Sequence, residues 1–410
     1  MVGDFTTLAW AGILPSCPVF GIAAMPTVLV YRSSLLSLSE TFISEQLGAL
    51  RRWKGILIGL RQLAQLPLDG IDIRTLRGHP PTLLERVRWK IHGWLGMIPR
   101  SAAARLEAEG ASLLHVHFGV DAVEAWPIAK ALELPMLVTL HGYDMSIDRA
   151  WWETGKGGRR MRTYPARLLE LAQQPRVRFI AVSDAIRQRA MSWGIPESRI
   201  SVCYIGIDCT KFTPFGLPIA DRQRRILFVG RLEEKKGCEY LIRAFAKVQA
   251  SVSDASLIII GDGTLRDHLQ KLALELGVHA EFRGSLSNLD VRHELSLARA
   301  FCLPSVRAGN GDAEGLPIVL LEAQASAIPV VTSASGGTME AIKHGVTGLA
   351  VPERDVDALA GALTTLLTDD AVATSMSSAG PAFVAGSFDI RSCTEHLEAA
   401  YDAIVLLDRT

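Results

Sequence analysis

Short apolar runs recur along the whole chain, each separated from the next by a stretch of helical period. In the N-terminal half the runs are Thr27–Tyr31, Leu113–Val116, Met136–Leu140, Val177–Val182 and Ile200–Tyr204. In the C-terminal half they are Ile226–Val229, Ser256–Ile260, Glu281–Arg283, Ala300–Leu303 and Pro329–Thr332. Several are nearly continuous Val, Ile, Leu and Phe, the pattern of parallel strands covered on both faces. Segments such as Glu239–Val252 and Thr264–Leu276 lie between them with apolar residues at helical spacing. This alternation predicts a doubly wound α/β architecture, and two successive series predict two Rossmann-like domains with parallel sheets.

The break between the series is placed at Phe212–Asp221, where two prolines and a glycine separate a strand from the next start. The expected organisation is an extension at 1–26, an N-terminal domain at 27–215, and a C-terminal domain at 216–389. A final helix at 390–410 is expected to cross back to the N-terminal domain. The extension is apolar but contains Pro15, Pro18 and Pro26, and no Lys or Arg precedes Arg32. It therefore lacks the basic start of a secretory signal, and no apolar run reaches transmembrane length.

Composition narrows the function. Forty-three Lys and Arg balance 43 Asp and Glu over 410 residues. That balance gives no global drive towards nucleic acid, so any charged partner must be met by a local patch. The six cysteines (Cys17, Cys203, Cys209, Cys238, Cys302 and Cys393) form no C-x-x-C pair and no zinc spacing. They read as reduced thiols of a cytoplasmic protein.

Two stretches carry candidate chemistry. After the strand Ile226–Val229 comes Gly230-Arg231-Leu232-Glu233-Glu234-Lys235-Lys236-Gly237. A glycine turn and cations beyond the carboxyl end of a parallel strand suit a diphosphate. Arg231 offers a bidentate fork and Lys236 a point charge; a solvated charged turn is the plain alternative. The second stretch is Glu314-Gly315-Leu316-Pro317-Ile318-Val319-Leu320-Leu321-Glu322. Pro317 fits the first turn of a helix, whose free amides can face a phosphate. Glu314 falls just before that helix and Glu322 about two turns along it. Both are acceptors for sugar or ribose hydroxyls. The alternative for Glu322 is an ordinary exposed position, which its apolar neighbours argue against.

These stretches, taken with others in order, resemble the retaining glycosyltransferases of family 4, which have the GT-B fold. The resemblance includes Val229–Gly237, the Glu314/Glu322 pair, Pro304-Ser305, Pro329-Val330-Val331, Gly336-Gly337, Glu340 and Gly345–Leu349 to Pro352. In the other half it includes Ser37–Ile43, His115–Gly119, His141–Asp144, Ala181–Ser183 and Gly206–Asp208. The spellings Ser-Glu-Thr-Phe-Ile and Gly-Asn-Gly-Asp-Ala-Glu-Gly-Leu-Pro are similar to the colanic-acid-type branch, which builds exopolysaccharide repeat units.

The resemblance implies two domains facing across a cleft, with donor in the C-terminal one and acceptor in the N-terminal one. Arg231 and Lys236 would hold the donor diphosphate near Gly230, and Glu322 the ribose. Glu314 would lie against the sugar with Gly315 and Leu316, and Arg283 would sit beside the base. His141 would stand across the cleft at the reacting centre, with Ser39, Glu40 and His117 on the acceptor side. The implied reaction moves a hexose, with retention and without a metal or other cofactor, from a nucleotide-diphosphate sugar. It goes to a hydroxyl of a glycan, expected to be linked to a polyprenyl diphosphate. The family often reads Glu-Gly-Phe-Gly; here Pro317 removes one backbone donor. A nucleotide-sugar epimerase of the same architecture and a non-catalytic nucleotide-sugar-binding subunit are the rival readings.

Other patterns have plainer readings. Gly261-Asp262-Gly263 opens like a dinucleotide fingerprint, but Arg266 occupies its sixth position, which argues against a nicotinamide enzyme. Asp355-Val356-Asp357 reads as a helix cap rather than a metal site. His115 and His117 alternate about Val116 and can share a face, without an evident third ligand. In 83–105, Leu84, Val87, Ile91, Trp94, Leu95 and Ile98 form an apolar stripe flanked by Arg88 and Lys90, with Arg86 further round and Trp89 and Arg100 adding contacts. Two readings stand for it: a peripheral helix on an anionic membrane surface at the inner face of the cytoplasmic membrane, or a helix packed on its own sheet.

Overall fold

The computed structural model describes residues 25–35, 40–62, 70–77 and 82–409. The extension expected at 1–26 lies almost wholly outside them, as does Ser39. Two compact units emerge: one runs to Gly206 and takes back Ile390–Thr410, and the other is Ile207–Asp389.

The first unit is built on a parallel sheet of seven strands. Across the sheet they run Asp72–Thr75, Lys54–Gly59, Thr27–Tyr31, Ala111–His117, Met136–Leu140, Val177–Ala181 and Ile200–Val202. The second unit has six strands: Ala280–Gly284, Ser256–Ile260, Arg225–Val229, Ala300–Leu303, Val330–Ser333 and Gly348–Val351. All the pairings are parallel. In each sheet the chain starts in the middle, works to one edge, then returns to the middle and works to the other. Each sheet therefore has a switch point beside its first strand, where successive crossovers leave in opposite directions. In the first unit it lies between Thr27–Tyr31 and Ala111–His117, and in the second between Arg225–Val229 and Ala300–Leu303.

Three strands of these two sheets were not expected as such. Lys54–Gly59 has a glycine at each side of a three-residue apolar core, too short for a periodic signal. Asp72–Thr75 is a half-exposed edge, and Gly348–Val351 begins at a glycine. The helix Asp370–Phe388 is hidden from sequence by Gly380 and Pro381 within it. Gly380 is needed there, because a Cβ would come within 2.6 Å of the Gln324 carbonyl on the helix Ile318–Ala325.

The unit boundary lies at Gly206/Ile207 rather than at 215/216. The Ile207 amide donates to the Phe388 carbonyl at 2.8 Å. Arg222 then binds the Phe215 and Leu217 carbonyls and that of Ala298. The proline-rich stretch is thus docked on the second unit by the Arg222 guanidinium, through carbonyls that no local pattern singles out.

The helix Ile390–Arg409 completes the first unit's core. Its Leu397, Tyr401 and Ile404 pack among Val28, Leu57, Leu113 and Leu137. Buried Glu398 accepts the amides of Arg51, Arg52 and Trp53 at 2.8, 2.7 and 3.1 Å, with Arg52 Nε at 3.5 Å. Removing that carboxylate leaves buried donors unpaired. Glu398→Ala should lower the first unit's stability by about 3 kcal/mol. Urea unfolding followed by fluorescence checks this, and an unchanged midpoint would remove the role given to Glu398.

Candidate active site

In the second unit the loop 230–237 leaves the switch-point strand Arg225–Val229 and is pressed onto the neighbouring strand's exit. Gly237 has φ +65°, and a Cβ there would fall 1.8 Å from the Pro304 carbonyl. Only glycine permits that contact. The approach brings Lys236 to Glu314: Nζ lies 2.7 Å from Oε1, with both side chains largely buried. Ser305 Oγ donates to the same oxygen at 3.3 Å. Burial raises the Glu314 pKa, but Lys236 and Lys235 outweigh it, so the carboxyl is held below its usual value and stays ionised.

The Glu314 backbone is equally constrained. Its carbonyl accepts the Gly337 amide at 3.1 Å, and a Cβ on Gly336 (φ +52°) would stand 2.5 Å from it. Lys235, not singled out from sequence, is buried against Asp312 at 3.0 Å. Its carbonyl takes the Val306 amide at 2.8 Å, and Glu234 takes the Gly309 amide at 3.0 Å. These bonds tie the 306–314 loop to the basic loop. The partner of Lys235 is 77 residues away, beyond any local signal.

The other expected donor residues are distributed around this pair. Gly230 lies against the Lys236 stem, its Cβ position 3.6 Å from Lys236 Cδ. Gly315 and Leu316 follow Glu314 and are buried. Pro317 is the N-cap of the helix Ile318–Ala325, one position before the first turn where it was expected. Glu322 is half-buried on that helix. The Arg231 side chain is 53% exposed and rests on Glu233 at 2.8 Å, an exposed pair of little energetic weight that leaves it available to a ligand. Arg283 is engaged by Glu281 at 2.8 Å and by Glu294.

In the first unit, His117 ends one strand and His141 directly follows the end of its neighbour. His117 Nδ1 and His141 Nε2 are 2.9 Å apart, so one ring carries the proton and the other accepts it. Phe118 follows with φ +70°, a strained conformation for a bulky residue. Its ring packs 4.4 Å from His141 and 4.6 Å beneath the Arg32 guanidinium, centroid distances in both cases. Arg32 is bound by Glu40 at 2.7 Å and by Asp121 at 2.6 Å. Phe42 packs 5.0 Å from His141. The expected Glu40, His117 and His141 are thus joined in one cluster; Ser39 lies outside the described residues. Arg32 and Asp121, the bridge between them, are separated by 89 residues.

Asp144 organises this end of the sheet. Its buried carboxylate accepts the amides of Gly119, Gly142 and His141 at 2.8, 2.8 and 3.2 Å. It thereby fixes both strand ends that carry the histidines. His115, on the same face as His117, hydrogen-bonds Tyr401 and Thr139, each at 2.7 Å. Asp355 caps the helix Val356–Thr368 through the Ala358 amide at 2.9 Å.

The helix Leu83–Trp94 presents its stripe to solvent. Leu84 is 81% exposed, and Val87, Ile91 and Leu95 are also exposed, whereas Ile98 is buried. The Lys90 and Trp94 side chains lie outside the described set. Among the described residues, no helix is long and apolar enough to cross a membrane.

Two parallel-sheet Rossmann-like units, each with a polar cluster at its switch point, define the GT-B architecture. Residues 60–211 match the family model described as Glycosyltransferase Family 4, and 210–383 that described as Glycosyl transferases group 1. The chain belongs to the glycosyltransferases that join these two domains. It is similar to the GDP-mannose-dependent alpha-(1-6)-phosphatidylinositol monomannoside mannosyltransferase of Mycobacterium tuberculosis, at 34% identity over 214 residues, 50% of this chain and 56% of that protein. A Salmonella typhimurium protein named for colanic acid biosynthesis, WcaL, is 30% identical over 260 residues, 62% of this chain and 61% of that protein. The chain thus spans between half and two thirds of these relatives' lengths. The Anabaena Alr3699/HepE structure in complex with UDP and glucose superposes with a TM-score of 0.73 over 92% of this chain and all of that one. Its 17% identity attests the fold alone.

Burial holds His115 neutral, its pKa lowered to about 3. Burial, then neighbouring imidazoles and the Arg32 guanidinium, hold His117 and His141 well below their usual value. In the unfolded chain each takes a proton near pH 6.5. The unfolded state therefore binds more protons below that pH, and stability falls as pH drops from about 6.5 towards 3. Melting temperatures at pH 7.5, 6.5 and 5.5 should decline, with a shallower slope in His115→Gln. Equal slopes would contradict the buried neutral assignment.

Proposed function

We propose that the protein is a retaining, metal-independent hexosyltransferase. It moves a sugar from a nucleotide diphosphate to a hydroxyl of a glycan acceptor, an exopolysaccharide repeat unit carried on a polyprenyl diphosphate. The observation that carries this reading is the Lys236–Glu314 pair at the second unit's switch point. It places a cation and an ionised carboxylate side by side at the position where such sheets bind ligands.

Leaving-group charge develops on the donor diphosphate as the sugar–phosphate bond breaks. Lys236 is fixed in place to meet it, and Arg231 swings from exposed Glu233 to add a bidentate fork. Glu314 then accepts hydrogen bonds from the sugar hydroxyls, and Glu322 from those of the ribose. On the first unit, the neutral His141 imidazole is the group this reading assigns to the reaction. The leaving phosphate takes the acceptor's proton on the same face, which retains configuration without a covalent intermediate. One similar protein is named for GDP-mannose and one neighbour of like fold holds UDP and glucose, so both bases enter the donor screen.

The exposed stripe of Leu83–Trp94, with Arg86, Arg88 and Arg100 beside it, supports docking on the anionic cytoplasmic membrane face. There a lipid-linked acceptor would be presented.

A thermal-shift screen against UDP-, GDP- and ADP-sugars without added metal tests the donor site, since a ligand of the folded state raises its stability. One donor class should give a shift that is lost in Arg231→Ala and Lys236→Ala, each costing about 2–4 kcal/mol in binding or turnover. Glu314→Ala should reduce kcat more than stability. Absence of any shift, or unchanged kinetics in both cation variants, would sink the diphosphate assignment. For the membrane contact, wild-type protein should float with phosphatidylglycerol vesicles at low salt, and Leu84→Asp/Ile91→Asp should not. Failure of the wild type to float would end that reading.

A further inference from the structure

Beyond His141 the chain runs through two short helices, Tyr143–Ser146 and Arg149–Glu153, before the helix Tyr164–Ala172. Between Thr154 and Leu169 it carries Lys156, Arg159, Arg160, Arg162 and Arg167 and no Asp or Glu. Lys156, Arg159, Arg160 and Arg162 are exposed. Among the described residues no carboxylate pairs with them. Glu153, the nearest acid in sequence, is already engaged by Arg149 at 2.6 Å, and Asp148 by Arg189 at 2.7 Å.

An exposed run of cations is ordinarily a solvated surface, but this one is built. Gly157 lies flat on Trp151 and Trp152; a Cβ there would meet both rings at 2.8 Å. Gly155, with φ +82°, is packed against the Arg162 stem, its Cβ position 3.0 Å from Cδ. Trp152 stands edge-on to Tyr164, centroids 5.1 Å apart. The Tyr164 hydroxyl donates to the Asp144 carbonyl at 2.6 Å. Asp144 is the residue whose carboxylate fixes the Gly119, His141 and Gly142 amides. The basic loop is therefore anchored, through two aromatic side chains, to the backbone that presents His141. It also lies on the connection leaving the carboxyl end of the strand Met136–Leu140, the ligand-binding side of such sheets.

We propose that Lys156, Arg159, Arg160 and Arg162 form the seat for the diphosphate of the acceptor's lipid carrier. This rests on the glycosyl-transfer reading above and names the acceptor chemistry that the first unit recognises. Four uncompensated cations within seven residues suit a compact, multiply charged anion. Guanidinium forks match phosphate oxygens bidentately. Anionic lipid headgroups offer the same oxygens, but the apolar face that a bilayer requires lies on Leu83–Trp94, another segment of the unit.

The test uses farnesyl diphosphate in detergent as the probe, measured by titration calorimetry on the full chain. Wild type should bind it, inorganic pyrophosphate should compete, and farnesol should not bind. Arg159→Ala/Arg160→Ala should weaken the affinity at least tenfold with an unchanged melting temperature. Arg159→Lys/Arg160→Lys should keep most of it, and Arg231→Ala should leave it intact. Equal affinity in the alanine variant overturns the proposal, as does a loss in Arg231→Ala, which would place the probe in the donor site. A loss confined to phosphatidylglycerol vesicles overturns it in favour of a headgroup contact. The nucleotide-sugar thermal shift, measured on the same proteins, reports separately on the transfer reading. If no donor shifts the wild type while farnesyl diphosphate binding depends on Arg159 and Arg160, the transfer reading fails and the anion seat stands.

Discussion

The constraint on which both halves depend is the reversal of strand order at the centre of each parallel sheet. Parallel strands all deliver their connections at the same edge. Where the order reverses, neighbouring connections diverge and leave room between them. In the second unit that room receives the loop 230–237 and the exit at Pro304-Ser305. In the first it receives Arg32 and the turn at His117-Phe118. Residues far apart in sequence become neighbours there because adjacent strands are about 4.8 Å apart.

The two clusters solve different electrostatic problems. The second unit buries two lysines and neutralises each with one carboxylate, Lys235 with Asp312 and Lys236 with Glu314. One pair fixes the loops, and the other stands where a ligand can share its charges. Such pairs are costly to break one-sidedly, so these loops are held in shape by their own contacts. The first unit instead buries neutral imidazoles and spends its single clustered cation, Arg32, on two carboxylates. Asp144 is different again: a buried carboxylate held by amides alone, which makes it a device for fixing backbone.

Close backbone approach shapes the second unit's cluster, and backbone strain the first's. Gly237 against Pro304 and Gly336 against Glu314 bring loops within distances that any Cβ would forbid. Phe118 adopts a conformation normally left to glycine, and its ring joins Arg32 to His141. Strain of that kind persists only where surrounding contacts over-determine it; here Arg32, Tyr143 and His141 surround the ring.

Sequence by itself determined the alternation of buried strands and amphipathic helices, because that pattern is a local consequence of which faces are covered. It also determined the basic loop after Val229 and the Glu314/Glu322 spacing, since both are short-range. It did not reveal Lys54–Gly59 or Asp72–Thr75, one too brief and one too exposed for a periodic signal. Nor did it show the helix Asp370–Phe388, whose Gly380 serves a packing contact instead of local propensity. Only the tertiary structure decided that Lys236 meets Glu314, that Arg32 bridges Glu40 and Asp121, and that the stripe on Leu83–Trp94 faces outward. Those outcomes depend on which strand ends share an edge and which surfaces find a partner. They are properties of the whole sheet, and no window of sequence contains them.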